Sequence, residues 1–172
     1  MNTSFQKTAG SDEWYTPREI IDALGTFDLD PCAPERPLWP TAREMWNKRK
    51  DGLAHPWGGV RVWLNPPYSQ PLLTQFATRM AENGNGIMLT FARVDNSLFQ
   101  DLLLPSADAV LFLRHRIRFF RPDGTQGDSA GSGSCLLARG AENCEALERS
   151  GLEGVYVPLE GARKTTKTIF EK

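Results

Sequence analysis

The stretch Val60-Arg61-Val62-Trp63-Leu64-Asn65-Pro66-Pro67-Tyr68 decides how this chain is read. Its first five residues are mostly apolar and suit a buried strand, and the two prolines end that strand and stiffen the backbone that leaves it. Proline carries no N–H, so the Asn65 side-chain oxygen and the Pro66 carbonyl can both accept from one amine. Tyr68 adds a ring for stacking. Such a cluster suits a planar group bearing an NH2, although the same four residues also describe a strand that ends in a rigid turn. The surrounding sequence separates the two readings.

Upstream, Phe27-Asp28-Leu29-Asp30-Pro31-Cys32-Ala33 reads as a short apolar and acidic strand running into a proline turn. Asp28 and Asp30 stand two apart, and the sequence leaves open which faces a ligand. Before them, Thr16 as N-cap, Pro17 at the first helical position and Glu19 three after the cap predict a capping box. Ile20, Ile21 and Leu24 give that helix its apolar face, and Gly25 ends it. Asp51-Gly52-Leu53 is first of all a turn signal.

In the order Trp14-Tyr15-Thr16-Pro17, Phe27 to Ala33, Asp51-Gly52-Leu53, Trp57 and Trp63 to Ser69, most of the chain resembles the compact phage-type DNA adenine methyltransferases. These are S-adenosylmethionine-dependent amino-methyltransferases with an Asn-Pro-Pro-Tyr motif. The resemblance implies a Rossmann-like, doubly wound α/β fold of class I, with a mostly parallel sheet and an antiparallel late strand. It assigns Asn65, Pro66, Pro67 and Tyr68 to catalysis. Trp14, Tyr15, Thr16, Pro17, Asp28, Asp30, Pro31 and Asp51 become cofactor-binding residues, with Asp51 toward the cofactor's adenine amine. Asp12 to Glu19 resembles the segment that wraps the cofactor. The usual glycines of the first loop are absent, since Pro34 and Glu35 follow Ala33.

Composition agrees. The chain has 172 residues, 40% of them apolar and 24% charged, which suits one catalytic domain over residues 1–172 without a separate target-recognition domain. Cys32, Cys135 and Cys144 form no Cys-x-x-Cys pair, and two histidines add little, so reduced thiols and no metal are expected. No apolar run approaches the roughly 20 residues that span a bilayer, and the first residues do not open a signal peptide. A cytoplasmic protein is the expectation, and the resemblance implies a bacterial host cell and a phage or prophage origin.

Along the remainder, apolar periodicity alternates between strand and helix, as in βαβ units. Ser69 or Gln70 caps a helix with Pro71 in its first turn, Leu72, Leu73, Phe76 and Met80 form its buried stripe, and Asn83-Gly84 closes it. Gly86 to Phe91 is a buried strand. Asp95 or Asn96 caps a helix that stops before Pro105. Strands are expected from Ala109 to Phe120, Ser134 to Ala138 and Val155 to Val157, with a helix from Ala141 to Arg149. Gly124 to Ser134 reads as a flexible hairpin or as a loop closing on DNA.

Net charge is −1, so the chain is no polycation. Locally, Arg114, His115, Arg116, Arg118 and Arg121 interleave with Phe119 and Phe120, a mixture that neutralises phosphates and stacks on displaced bases. A solvated strand face is the plainer reading of the same residues. Arg43, Lys48, Arg49 and Lys50 form a second patch, and Arg163, Lys164 and Lys167 a third. These patches make a DNA footprint if they converge on the face that holds Asn65; the resemblance implies double-stranded DNA as the partner, and the oligomeric state stays open. The competing classes are an amino-methyltransferase acting on cytosine, RNA adenine or protein glutamine, and a non-catalytic DNA-binding module.

Overall fold

The computed structural model describes residues 14–159. The readings placed on Asp12, Glu13, Arg163, Lys164 and Lys167 lie outside them. Helix α1 (Arg18–Leu24) precedes the short strands β1 (Leu29–Asp30) and β2 (Glu44–Met45), and β3 (Val62–Leu64) leads into the proline motif. Helix α2 (Leu72–Asn83), strand β4 (Gly86–Phe91), a π-helical turn (Phe99–Leu103) and strand β5 (Ala109–Leu113) follow. Strand β6 (Ser134–Arg139), helix α3 (Ala141–Glu148) and strand β7 (Gly154–Pro158) complete the order.

The strands form one sheet in the order β2-β1-β3-β4-β6-β5-β7. β2, β1, β3 and β4 pair in parallel; β6 is antiparallel to both β4 and β5, and β7 is antiparallel to β5. The first five strands therefore share one direction, with β6 and β7 reversed. This is the mostly parallel sheet that the resemblance implies, with two antiparallel late strands in place of one.

Side-chain alternation explains why the sheet is covered on both faces. Trp63, Ile87 and Leu89 join Phe27, Leu24 and Leu147 in one core, beneath α1 and α3. Val62, Leu64 and Met88 join Phe76, Met80 and Phe99 in the other, beneath α2 and the π-turn. Arg61 bridges the first layer: its guanidinium lies 4.4 Å from the Phe27 ring centroid and donates to the Leu24 and Thr26 carbonyls and to Asn143 Oδ1. The end of α1 is thereby fastened to α3, and the carbonyl of its last residue, Leu24, is satisfied.

Five expectations need correction. The capping box at Thr16 does not form; α1 has no side-chain cap, because the Thr16 hydroxyl bonds elsewhere. Leu72 is exposed, and Ala77 replaces it in the buried stripe of α2. The strand expected over Ala109 to Phe120 stops at Leu113, since its partner β6 pairs only as far as Cys135 and the chain then bends away. Residues 117–130 instead fold back on themselves, with Phe120 bridged to Gln126 and Ala130 N–H donating to the Ile117 carbonyl. Strand β2, which lies in the basic patch, was not foreseen, because two paired residues carry no periodic signal. The strand read over Phe27 to Ala33 has only Leu29 and Asp30 in the ladder.

Candidate functional site

From β1 the chain passes to β2 on one side and then returns to β3 on the other, so the sheet reverses its winding between β1 and β3. A crevice at the carboxyl ends of two such strands is where open α/β sheets hold ligands. Asp30 ends β1 and Asn65 follows β3. The two turns touch, as the Cys32 thiol donates to the Asn65 carbonyl at 3.2 Å.

The Asn65 amide is held in one orientation. Its nitrogen donates to Thr16 Oγ1 at 3.2 Å and to the Trp14 carbonyl at 3.4 Å, and its oxygen accepts from the Tyr68 hydroxyl at 3.1 Å. Reversal of the amide would set its oxygen against the Trp14 carbonyl, which can only accept. One lone pair of Oδ1 remains for a further donor. Burial pushes the Tyr68 hydroxyl well above the ordinary phenol range, which keeps it a donor to Asn65. The Tyr68 ring stacks on Phe91, with centroids 4.3 Å apart and planes 23° apart, so one of its faces is already occupied. Pro66 is buried and Pro67 exposed.

Asp28 and Asp30 differ sharply. Asp28 is partly exposed, pairs with Arg43 at 3.1 Å and accepts from the Arg61 N–H. Asp30 is only 3% exposed; Oδ1 accepts from the Cys32 N–H at 3.1 Å and Oδ2 from the Thr41 hydroxyl at 2.5 Å. Burial raises its carboxyl to about 6, against the lowering effect of those two hydrogen bonds. Neither of those partners is a cation. A buried carboxylate at a strand end, held by neutral donors, fits a ligand that carries an ammonium, such as the methionine end of S-adenosylmethionine.

Asp51 is exposed with φ 52°, and its carboxylate accepts from the Leu53 N–H at 3.1 Å, which is the turn the sequence predicts. Gly52 brings that turn against the first one. A Cβ at Gly52 would lie 1.9 Å from the Pro31 carbonyl oxygen, so only glycine admits this approach.

The segment Trp14 to Pro17 runs over the same end of the sheet. Tyr15 exchanges both backbone hydrogen bonds with Phe120, and its hydroxyl donates to the Arg36 carbonyl. Trp39 Nε1 donates to the Thr16 carbonyl while its ring stands edge-on to Phe120 at 5.1 Å. Gly127 lies beneath the Trp14 ring, and Pro17 is buried. Sequence reading missed Thr41, Trp39 and Arg61 in these roles, because none belongs to a local motif.

The basic segment is divided by alternation. Arg114, Arg116 and Arg118 are exposed, whereas Ile117 and Phe119 are buried in the core. Phe119 therefore offers no ring to a base, contrary to the reading as a DNA-stacking residue. Arg114 and His115 both approach Glu153, at 4.0 and 3.2 Å. Arg118 and Arg121 donate to the backbone carbonyls of Gly127 and Gln126. In the second patch, Arg43, Arg49 and Lys50 pair with Asp28, Glu35 and Glu44, which removes much of its positive field. Among the described residues no cluster of His, Cys, Asp and Glu could hold a metal ion, and no helix is long and apolar enough to cross a membrane.

The sequence model of the family described as DNA N-6-adenine-methyltransferase (Dam) matches residues 3–143. The chain belongs to this family. A protein of Escherichia phage T1 described as a DNA N-6-adenine-methyltransferase is 36% identical over 92 residues, covering 50% of this chain and 37% of that one. A protein of Haemophilus phage HP1 (strain HP1c1) with the same description is 29% identical over 129 residues, covering 69% of this chain and 72% of that one. The chain thus spans little more than a third of the phage T1 relative. No solved structure matches. The matched region takes in the site from Trp14 to Phe120 and ends within α3.

Proposed function

We propose that this chain transfers the methyl group of S-adenosylmethionine to the exocyclic amine of adenine in double-stranded DNA, within a phage- or prophage-bearing host cell. The observation that carries the reading is the locked Asn65 amide, whose oxygen keeps a lone pair at the crevice where β1 and β3 end. Asn65 Oδ1 and the Pro66 carbonyl accept from the two hydrogens of the target amine, drawing its nitrogen toward a tetrahedral shape and localising its lone pair. Alignment and fixed dipoles then supply most of the rate. The amine sheds a proton only after it has become positively charged, so no side chain has to act as a strong base. Asp30, Pro31, Asp51 and the Trp14 to Pro17 segment hold S-adenosylmethionine, which supplies an activated methyl on a sulfonium. Asp28 is set aside from that group by its pairing with Arg43.

Adenine in a duplex is out of reach, so the base has to leave the stack. Tyr68 receives it on the face turned away from Phe91. Arg114, Arg116 and Arg118 bind phosphates, and recognition shares one sheet with catalysis. A short or loosely read target follows, since so few side chains can reach base edges.

The test is direct. Purified protein receives S-adenosylmethionine with DNA, RNA and protein mixtures in separate reactions, and digestion with mass analysis locates the methyl group. Methyl on adenine in DNA is the expected result. Methyl on cytosine would change the base and keep the mechanism; methyl on glutamine would overturn the DNA reading.

A further inference from the structure

The Asn65 loop is short of donors of its own. Pro66 and Pro67 carry no N–H, so two consecutive residues cannot fasten this loop through backbone donors, and another element has to hold it. The Cys32 thiol does so by donating to the Asn65 carbonyl at 3.2 Å. That carbonyl belongs to the planar peptide unit joining Asn65 to Pro66, and the pyrrolidine ring then locks φ of Pro66. Fixing the Asn65 oxygen therefore fixes where Pro66 begins, and leaves only ψ of Pro66 to aim its carbonyl. The Asn65 side chain is tied separately, by Thr16, Trp14 and Tyr68.

Cys32 suits that task because its own turn is held from several sides. Its N–H donates to Asp30 Oδ1 at 3.1 Å. Both ends of the turn are joined to Trp46, whose N–H donates to the Asp30 carbonyl at 2.8 Å and whose carbonyl accepts from the Ala33 N–H at 2.9 Å. Gly52 packs against the Pro31 carbonyl with no room for a side chain. Burial, and then the Asp30 carboxyl beside it, push the Cys32 thiol well above its ordinary range, so it keeps its proton and remains a donor. A thiolate would set one acceptor against another at the Asn65 carbonyl.

We infer that Cys32 is a positioning residue for methyl transfer: its thiol sets the Asn65–Pro66 peptide, and through it the Pro66 carbonyl, in register with the turn that carries Asp30. The inference rests on the reading of the chain as an adenine methyltransferase acting on DNA. One residue then spans both halves of the reaction, with its N–H on the carboxylate assigned to the methyl donor and its S–H on the loop assigned to the acceptor amine. In-line attack depends on the distance and angle between those halves, and a displacement of about 1 Å can cost roughly a hundredfold in rate. In this role Cys32 takes no part in bond making.

Three variants separate the donor from the space the side chain fills. Cys32→Ala removes both, Cys32→Val restores volume without a donor, and Cys32→Ser restores a donor with less volume. Single-turnover transfer to duplex DNA is measured at saturating S-adenosylmethionine, together with KM for DNA and, by calorimetry, affinity for S-adenosylhomocysteine. Cys32→Ala and Cys32→Val should each slow transfer about tenfold, the upper end for one neutral hydrogen bond, while KM and S-adenosylhomocysteine affinity stay within a few-fold. Cys32→Ser should recover most of the rate. By NMR, the shift of the Asn65 carbonyl carbon should move in Cys32→Ala and Cys32→Val and return toward wild type in Cys32→Ser. If thermal melting shows that Cys32→Ala does not fold, Cys32→Val against Cys32→Ser decides by the same readouts. A rate restored by Val and not by Ser would make Cys32 a packing residue and overturn the inference. A loss of S-adenosylhomocysteine affinity as large as the loss of rate would overturn it too, by making Cys32 a cofactor contact. If wild-type protein methylates DNA and Cys32→Ala matches its rate, the inference fails alone. If wild-type protein transfers no methyl to DNA, the underlying reading fails, and the inference with it.

Discussion

The loop at Asn65 and the basic segment at Arg114 to Arg121 both looked functional in sequence, yet the fold treats them in opposite ways. Every polar atom of the Asn65 side chain is tied: Thr16 and Trp14, from a distant segment, hold the nitrogen, and Tyr68 of the same loop holds the oxygen. In the basic segment, Arg114 reaches only an exposed glutamate, and Arg118 and Arg121 reach only the neighbouring turn, at the carbonyls of Gly127 and Gln126. Chemistry that depends on alignment needs the first arrangement, whereas phosphate binding tolerates the second because charge acts over several ångströms. The buried half of the basic segment, Ile117 and Phe119, belongs to the hydrophobic core and not to the exposed face.

The sharpest way to break this comparison is Phe119→Ala. If Phe119 is a core residue, its truncation should cost roughly 3–5 kcal/mol of stability in denaturant unfolding. A loss below about 1 kcal/mol, with weakened DNA binding instead, would return Phe119 to the DNA face.

Asn65→Ala should leave the fold nearly intact and remove methyl transfer by about 3 kcal/mol or more, which is at least a hundredfold in rate. Affinity for S-adenosylhomocysteine, measured by calorimetry, should stay within a few-fold. Near-normal turnover would mean that the locked amide is only a structural tie.

Asp30 joins stability to binding. Its carboxyl titrates near 6 in the fold, above the usual carboxylate value, so the native protein binds this proton more tightly than the unfolded chain does. Stability of the ligand-free protein therefore falls as pH rises from about 4 to 6, by on the order of 2–3 kcal/mol, and stays lower above that window. Asp30→Asn should raise the melting temperature of the ligand-free protein at pH 8 and weaken stabilisation by S-adenosylhomocysteine. In wild type, that stabilisation should fade below pH 6. Thermal scans across pH 5 to 8 decide it, and a mutant melting lower than wild type at pH 8 would reject the account.

The smallest effect belongs to the exposed arginines. Changing Arg114, Arg116 and Arg118 together to alanine should move stability by no more than about 0.5 kcal/mol. The slope of log K against log salt for duplex DNA should flatten by up to about 2.7. An unchanged slope would place the phosphates elsewhere on the molecule.

Local sequence was enough for the features whose cause is local. The prolines after Leu64, the αL glycine after Asn83 and the unbroken apolar run from Gly86 to Phe91 each constrain their own backbone or both faces of their own strand, and all three appear as read. The Asn-Pro-Pro-Tyr motif was legible as a rigid turn after a strand for the same reason. What tertiary structure decided was every choice between equivalent local options. Thr16 has the residue type of a helix cap, but Asn65 lies within reach and takes its hydroxyl. Asp28 and Asp30 look alike in sequence, and only burial beside Thr41 and Cys32 separates them. The run from Ala109 to Phe120 could have remained a strand to its end, but a strand needs a partner, and β6 pairs no farther along it than Phe112, opposite Cys135. The bond from the Cys32 thiol to the Asn65 carbonyl joins a strand-end turn and the motif loop from separate parts of the chain. No periodicity records such a meeting, because it exists only once the sheet has assembled.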